Sequence, residues 1–142
     1  MKLRTYGCGK KFDSSKFNLI ENQDFFNKPE GGLWASPVSS KYGWREWCNA
    51  ENFKTSTLKT FFNFKIKGKI LIINYHRDLE KLTWRQVHNS ILVIDFKEVS
   101  KTWDAIFLTE KGQREVRLTH PKNLYGWDCE SVLILNSNII QT

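Results

Sequence analysis

Long apolar runs are missing from this chain. Stretches such as Ile70–Ile73 and Val132–Leu135 are only long enough for strands, whereas a membrane-spanning helix needs about 20 apolar residues. The opening Met1-Lys2-Leu3-Arg4 lacks the apolar core of a secretory leader, so the expected setting is cytoplasmic, with no membrane partner. Cysteine is sparse, and Cys8, Cys48 and Cys129 stand far apart without zinc-ligand or redox-pair spacing. Free buried thiols are therefore expected rather than a disulfide framework. There is no Walker-type glycine loop, no His/Glu helix spacing for a metal and no serine-centred nucleophile elbow. His76, His88 and His120 are isolated, and repeats, low-complexity tracts and linkers are absent. These absences leave metal-free chemistry led by a carboxylate and an arginine as the constellation to test.

The residues that are present describe a basic, aromatic-rich chain. Its 142 residues are expected to form one domain spanning 1–142. Six Trp and ten Phe supply a core, and the net charge of +7 suits an encounter with nucleic acid, an acidic protein or a phosphorylated small molecule.

Read in order, Leu3-Arg4-Thr5-Tyr6-Gly7 alternates as a short strand. Arg4 in it is either a solvated edge residue or an anion-binding group reaching into a cleft. From Cys8 to Pro29 the chain reads as a loop pinned by Phe25 and Phe26. Lys28-Pro29-Glu30-Gly31-Gly32 is turn chemistry ahead of a strand, Leu33–Ser36, that Pro37 stops. Paired glycines there make a turn or admit a ligand close to the backbone. Ser39 and Ser40 are candidate caps for a helix over 41–51, whose Trp44, Trp47 and Cys48 form an apolar core stripe. Thr60–Lys67 and Lys69–Tyr75 read as a hairpin turning at Gly68.

Farther on, Asp78 is expected to cap a short helix over 79–82, and a helical turn to run through Trp84 and Val87. Asp95–Lys101 reads as a helix with Phe96 and Val99 inward, and Trp103–Leu108 as a strand. Gly112 is expected to break the chain before an extended Glu115–Leu118. The loop Tyr125-Gly126-Trp127-Asp128-Cys129 then delivers Glu130 to the mouth of a strand, Ser131–Leu135, apolar on both faces and so suited to the middle of a sheet. The sum is an α+β chain with one short helical region early and many short strands late. A carboxylate at the mouth of a buried strand needs solvent or a partner.

Three stretches together resemble the toxin-like class of ADP-ribosyltransferases: an Arg in the first strand (Arg4), an aromatic-then-Ser second strand (Trp34-Ala35-Ser36), and a Glu opening a late strand behind an aromatic turn (Glu130). The resemblance covers most of the chain through short motifs. It implies a compact fold of short strands around a central cleft, NAD as substrate without a metal, and a protein or nucleic-acid acceptor in an effector-like or toxin-like setting. By the same resemblance Glu130, Asp128 and Ser36 form the catalytic set. Arg4, Thr5, Tyr6, Gly32 and Trp34 bind NAD, and Tyr125 and Trp127 touch the acceptor. The chain departs from the family in offering Ala35-Ser36-Pro37 where Ser-Thr-Ser is usual, and Asp128 where a longer Glu or Gln is frequent. Two rival readings accompany it: a non-catalytic basic module that binds nucleic acid or a nucleoprotein, and a nucleotide hydrolase or phosphotransferase.

Overall fold

A computed structural model of the chain describes every residue except Phe26 and Asn89. The apolar strand behind Glu130 lies at the centre of the architecture. In chain order the strands are β1 (Leu3–Tyr6), β2 (Leu33–Pro37), β3 (Phe61–Ile66), β4 (Ile70–Ile73), β5 (Trp84–Val87), β6 (Ile91–Ile94), β7 (Ala105–Leu108), β8 (Ser131–Ile134) and β9 (Ile140–Gln141). The helices are α1 (Trp44–Glu51), α2 (Phe96–Thr102) and α3 (Glu110–Val116). Seven strands form one sheet in the order β4-β7-β8-β2-β1-β3-β9, and β5 and β6 form a separate pair. All four residues of β8 are buried between β7 and β2, as apolar side chains on both faces require.

The sheet separates two cores by strand alternation. Leu3, Ala35, Phe62, Phe64, Val132 and Ile134 pack on one face with Ile139. Leu71, Ile73, Ile106, Leu108 and Leu133 pack on the other against Phe96, Val99, Val116 and Trp127.

The expected hairpin at Gly68 does not form. β3 pairs with β1 and β9, whereas β4 runs parallel to β7 at the far end of the sheet. Lys67, Gly68 and Lys69 nevertheless join the two strands directly, a reach of about 14 Å at most from Ile66 to Ile70, so the sheet must curl until its ends approach. The joint is tied to both sides: the Lys67 N–H donates to the Ile139 carbonyl at 3.0 Å, and the Lys69 N–H to an Asp104 carboxylate oxygen at 2.9 Å. A glycine is required between them, because a Cβ at Gly68 would lie 2.5 Å from Ile139 Cγ2 and 2.7 Å from the Asp104 carboxylate. Pairing β4 with β7 buries Leu71 and Ile73 in the larger core, which a local hairpin would not do.

Other local expectations change for similar reasons. Trp84–Val87 is a strand and not a helical turn; pairing with β6 lets the Trp84 indole pack on the larger core and donate to the Leu79 carbonyl at 2.8 Å. Glu115 and Val116 end a helix instead of opening an extended segment, and Gly112 lies inside that helix, with its N–H bonded to the Thr109 hydroxyl at 3.0 Å. α1 begins at Trp44 because Glu46 reaches back to the Gly43 N–H at 3.0 Å, while the Ser40 hydroxyl accepts from Tyr42 and shapes the preceding turn. α2 starts behind Asp95, whose side chain accepts the Glu98 N–H at 3.1 Å, and Phe96 and Val99 are buried as expected. Phe25 does not pin the early loop: it is 77 % exposed, and Phe26 lies outside the described residues. Ile20 in the larger core and Phe12 and Phe17 against the smaller one do that work.

Asp78 lies within a 3-10 helix, His76–Lys81, rather than at its cap. One of its oxygens accepts both the Asn74 and the Tyr75 N–H at 2.9 Å, and Lys81 stands 3.5 Å from the other. Burial by itself pushes this carboxyl up, but the two N–H groups and Lys81 together hold it below the ordinary Asp value. The stabilisation is thus present above the usual carboxylate range and is lost as pH falls through the depressed native value. Asp78→Asn is expected to cost about 1–2 kcal/mol at neutral pH. Urea midpoints of the two proteins should converge in strongly acid buffer; a gap that persists there would refute this role.

Candidate functional site

Arg4 and Ser36 stand opposite each other where β1 pairs with β2. The Ser36 hydroxyl donates to the backbone carbonyl of Glu130 at 2.8 Å, a link between residues 94 apart in the chain, and accepts the Trp44 N–H at 3.0 Å. One hydroxyl therefore ties β2, the start of α1 and the entry to β8. The Glu130 N–H donates to the Tyr42 carbonyl at 3.0 Å, which holds the same residue from its other side. Thr5 is buried and its hydroxyl donates to the Trp34 carbonyl at 2.8 Å.

Beside this junction lies a cavity of about 320 Å³. Of the sequence-derived site residues, Thr5, Tyr6, Gly32, Trp34, Ser36, Trp127 and Asp128 line it. The volume is at the low end for ligand pockets, about 300–1,000 Å³, with room for one aromatic ring and its sugar but not for a whole dinucleotide. Trp34 meets the edge of Trp127 with centroids 4.7 Å apart, so the wall is largely indole.

Arg4, Glu130 and Tyr125 do not line the cavity. Arg4 borders a smaller adjoining hollow of about 120 Å³ that shares Tyr6, Ser36 and Trp44 with it. Its Nε donates to Asn63 Oδ1 at 2.7 Å and its guanidinium lies 4.0 Å over the Phe61 ring. The half-buried Glu130 carboxylate accepts the Glu110 N–H at 3.3 Å at the start of α3. Among the described residues neither group is in an ion pair.

One site expectation needs correcting. Trp127 is 1 % exposed, and its indole N–H donates to the Asn27 carbonyl. It forms part of the cavity wall and cannot reach a macromolecular acceptor. Gly31 and Gly32 are explained by chain crossing: a Cβ at Gly31 would lie 2.2 Å from the Leu19 carbonyl oxygen, and one at Gly32 2.8 Å from that of Ile134. Both also have positive φ, 77° and 71°, where side chains are strained.

Among the lining residues that escaped the sequence are Cys8, Lys28, Trp44 and Cys129. Trp44 carried a misleading signal, since its helical stripe read as core; it is half-buried, stacked on Trp47 at 5.2 Å, and one side of it faces the cavity. Lys28 stands 3.9 Å from the Asp128 carboxylate and 5.9 Å over Trp34. Nothing in a turn sequence announces such a position.

The three cysteines are free, with Cys8 exposed and the others buried. Burial pushes the Cys129 thiol up to about 11, which keeps it protonated and poorly nucleophilic at neutral pH. A thiol reagent is expected to label Cys8 alone in the native protein, as read by mass spectrometry. Rapid labelling of Cys48 or Cys129 would contradict their burial.

Among the described residues no group of three or more His, Cys, Asp or Glu is placed to hold a metal ion, and no helix is long and apolar enough to cross a membrane. Comparison with protein-family models, curated proteins and solved structures finds no match for the chain.

Proposed function

We propose that this α+β chain is an NAD-dependent mono-ADP-ribosyltransferase, with a transferase-like arrangement of short strands around the indole-walled cavity and a protein or nucleic-acid acceptor. The observation that carries the reading is the hydrogen bond from the Ser36 hydroxyl, on the cavity wall, to the backbone carbonyl of Glu130, with Arg4 directly across the strand pair. Nicotinamide stacks against Tyr6 or Trp34. Arg4, which keeps N–H groups beyond the one given to Asn63, grips the pyrophosphate. As the bond from ribose C1′ to nicotinamide breaks, the ring leaves with the electron pair and the ribose gains oxocarbenium character. Glu130 stabilises that charge through the ribose hydroxyl, an interaction that strengthens toward the transition state. Its 3.3 Å bond to the Glu110 N–H is long for an N–H···O bond and is given up at little cost. The acceptor nucleophile then bonds to C1′ and its proton passes to Asp128.

The test is release of nicotinamide from labelled NAD, with and without acceptors, by the wild type and by Glu130→Gln. Occupancy has its own readout: NAD or nicotinamide is expected to slow alkylation of Cys8, which lines the cavity. Unchanged labelling at saturating nucleotide would remove the cavity from the site.

The placement of Arg4 on Phe61 and Asn63, together with a Glu130 carboxylate outside the cavity lining, favours a second reading: a non-catalytic binding module. It predicts neither NAD turnover nor thermal stabilisation by NAD.

A further inference from the structure

The cavity does not end at Lys28 and Asp128. The same two residues border an open groove of about 740 Å³ between the β5–β6 pair, the 120–128 loop and the turn around Asn27. Three large apolar side chains on its rim face solvent: Phe25 at 77 %, Tyr125 at 63 % and Ile91 at 58 % exposure. Phe25 lies flat on His88, with centroids 4.7 Å apart and planes inclined by 17°. Arg117 approaches the Tyr125 ring at 6.0 Å. Among the described residues the groove lining has one carboxylate, Asp128, and one lysine, Lys28, which stand 3.9 Å apart, while Arg117 stands beside Tyr125 outside that lining.

Exposed aromatic faces beside cations, in a chain of net charge +7, are what unpaired bases and their phosphates bind. A base pair in a duplex hides the faces that Phe25 and Tyr125 would stack on, so the complement is a single strand. We infer that this groove binds single-stranded nucleic acid, with bases stacked on Tyr125 and Phe25 and the backbone drawn by Lys28 and Arg117. This deepens the transferase reading, because a strand in the groove brings one nucleotide to the Lys28–Asp128 rim of the cavity as acceptor. The groove itself is tested without NAD.

The experiment measures fluorescence anisotropy of a labelled mixed-sequence single-stranded oligonucleotide with the full chain, against a duplex of the same sequence. The wild type is expected to bind the single strand more tightly than the duplex, with affinity falling steeply as salt rises. Tyr125→Ala and Phe25→Ala should each weaken binding about tenfold, while Leu19→Ala, equally exposed but outside the groove, should leave it unchanged. Because all three side chains are exposed, their removal spares the core. No binding at low salt, equal binding of the duplex, or groove variants that bind like the wild type would each overturn the inference. Nicotinamide release measured on the same proteins separates the two ideas: groove binding that behaves as expected in a chain inert toward NAD keeps the groove and removes the transferase.

Discussion

Glu130→Gln is expected to lower nicotinamide release from NAD by about a hundredfold or more, the usual loss when one preorganised electrostatic group is taken from a transition state. The substitution is nearly isosteric, and the bonds that hold residue 130 in place run through its backbone, to Ser36 and Tyr42. They survive the change, as does an oxygen to accept the Glu110 N–H. Only the negative charge goes. If Glu130 acts on the developing oxocarbenium, kcat should fall while KM for NAD stays nearly constant, since the ring and pyrophosphate contacts belong to other residues. Ser36→Ala gives a complementary result: it frees the Glu130 carbonyl and the Trp44 N–H together, so a positioning residue is lost and kcat falls by less. Equal rates for wild type and Glu130→Gln would end the proposal.

The largest expected effect on stability comes from Gly112→Ala. In most helices this change stabilises by about 1 kcal/mol, because Gly is a poor helix former. Here a Cβ would lie 1.9 Å from the carbonyl oxygen of Ile73 and 2.8 Å from its carbonyl carbon. Those atoms belong to β4, which is registered residue by residue against β7, so the strand cannot retreat alone. α3 must move away, loosening the buried Val116 and the cap from Thr109. A net loss of about 3 kcal/mol is expected, the upper range for forced overpacking. The sign decides the matter: a neutral or stabilised Gly112→Ala in urea titration would mean that α3 does not approach β4 this closely. Exposed changes such as Leu19→Ala should leave the urea midpoint unchanged.

Which parts of this were readable beforehand follows from the range of the interactions. The apolar residues on both faces of β8, the alternation of Leu3–Tyr6, and Asp95 ahead of Phe96 and Val99 are local signals, and each produced the element it predicted. The fold also brings Ser36 within one hydrogen bond of the Glu130 backbone, 94 residues further on. Gly68, Gly112 and the Gly31-Gly32 pair were visible as glycines, yet their meaning was not. Each is small because another segment passes within van der Waals distance, and which segment that is depends on the whole topology.

The sequence by itself determined where most strands and two of the helices lie, since side-chain periodicity and caps act over a few residues. Only the tertiary structure decided that β3 and β4 part to opposite ends of a curled sheet, that Trp127 is wall rather than contact, and that Arg4 turns to Phe61. Strand partners are selected by the apolar area the whole sheet buries, and side-chain direction by the neighbours that result, and neither quantity exists until the chain has closed on itself.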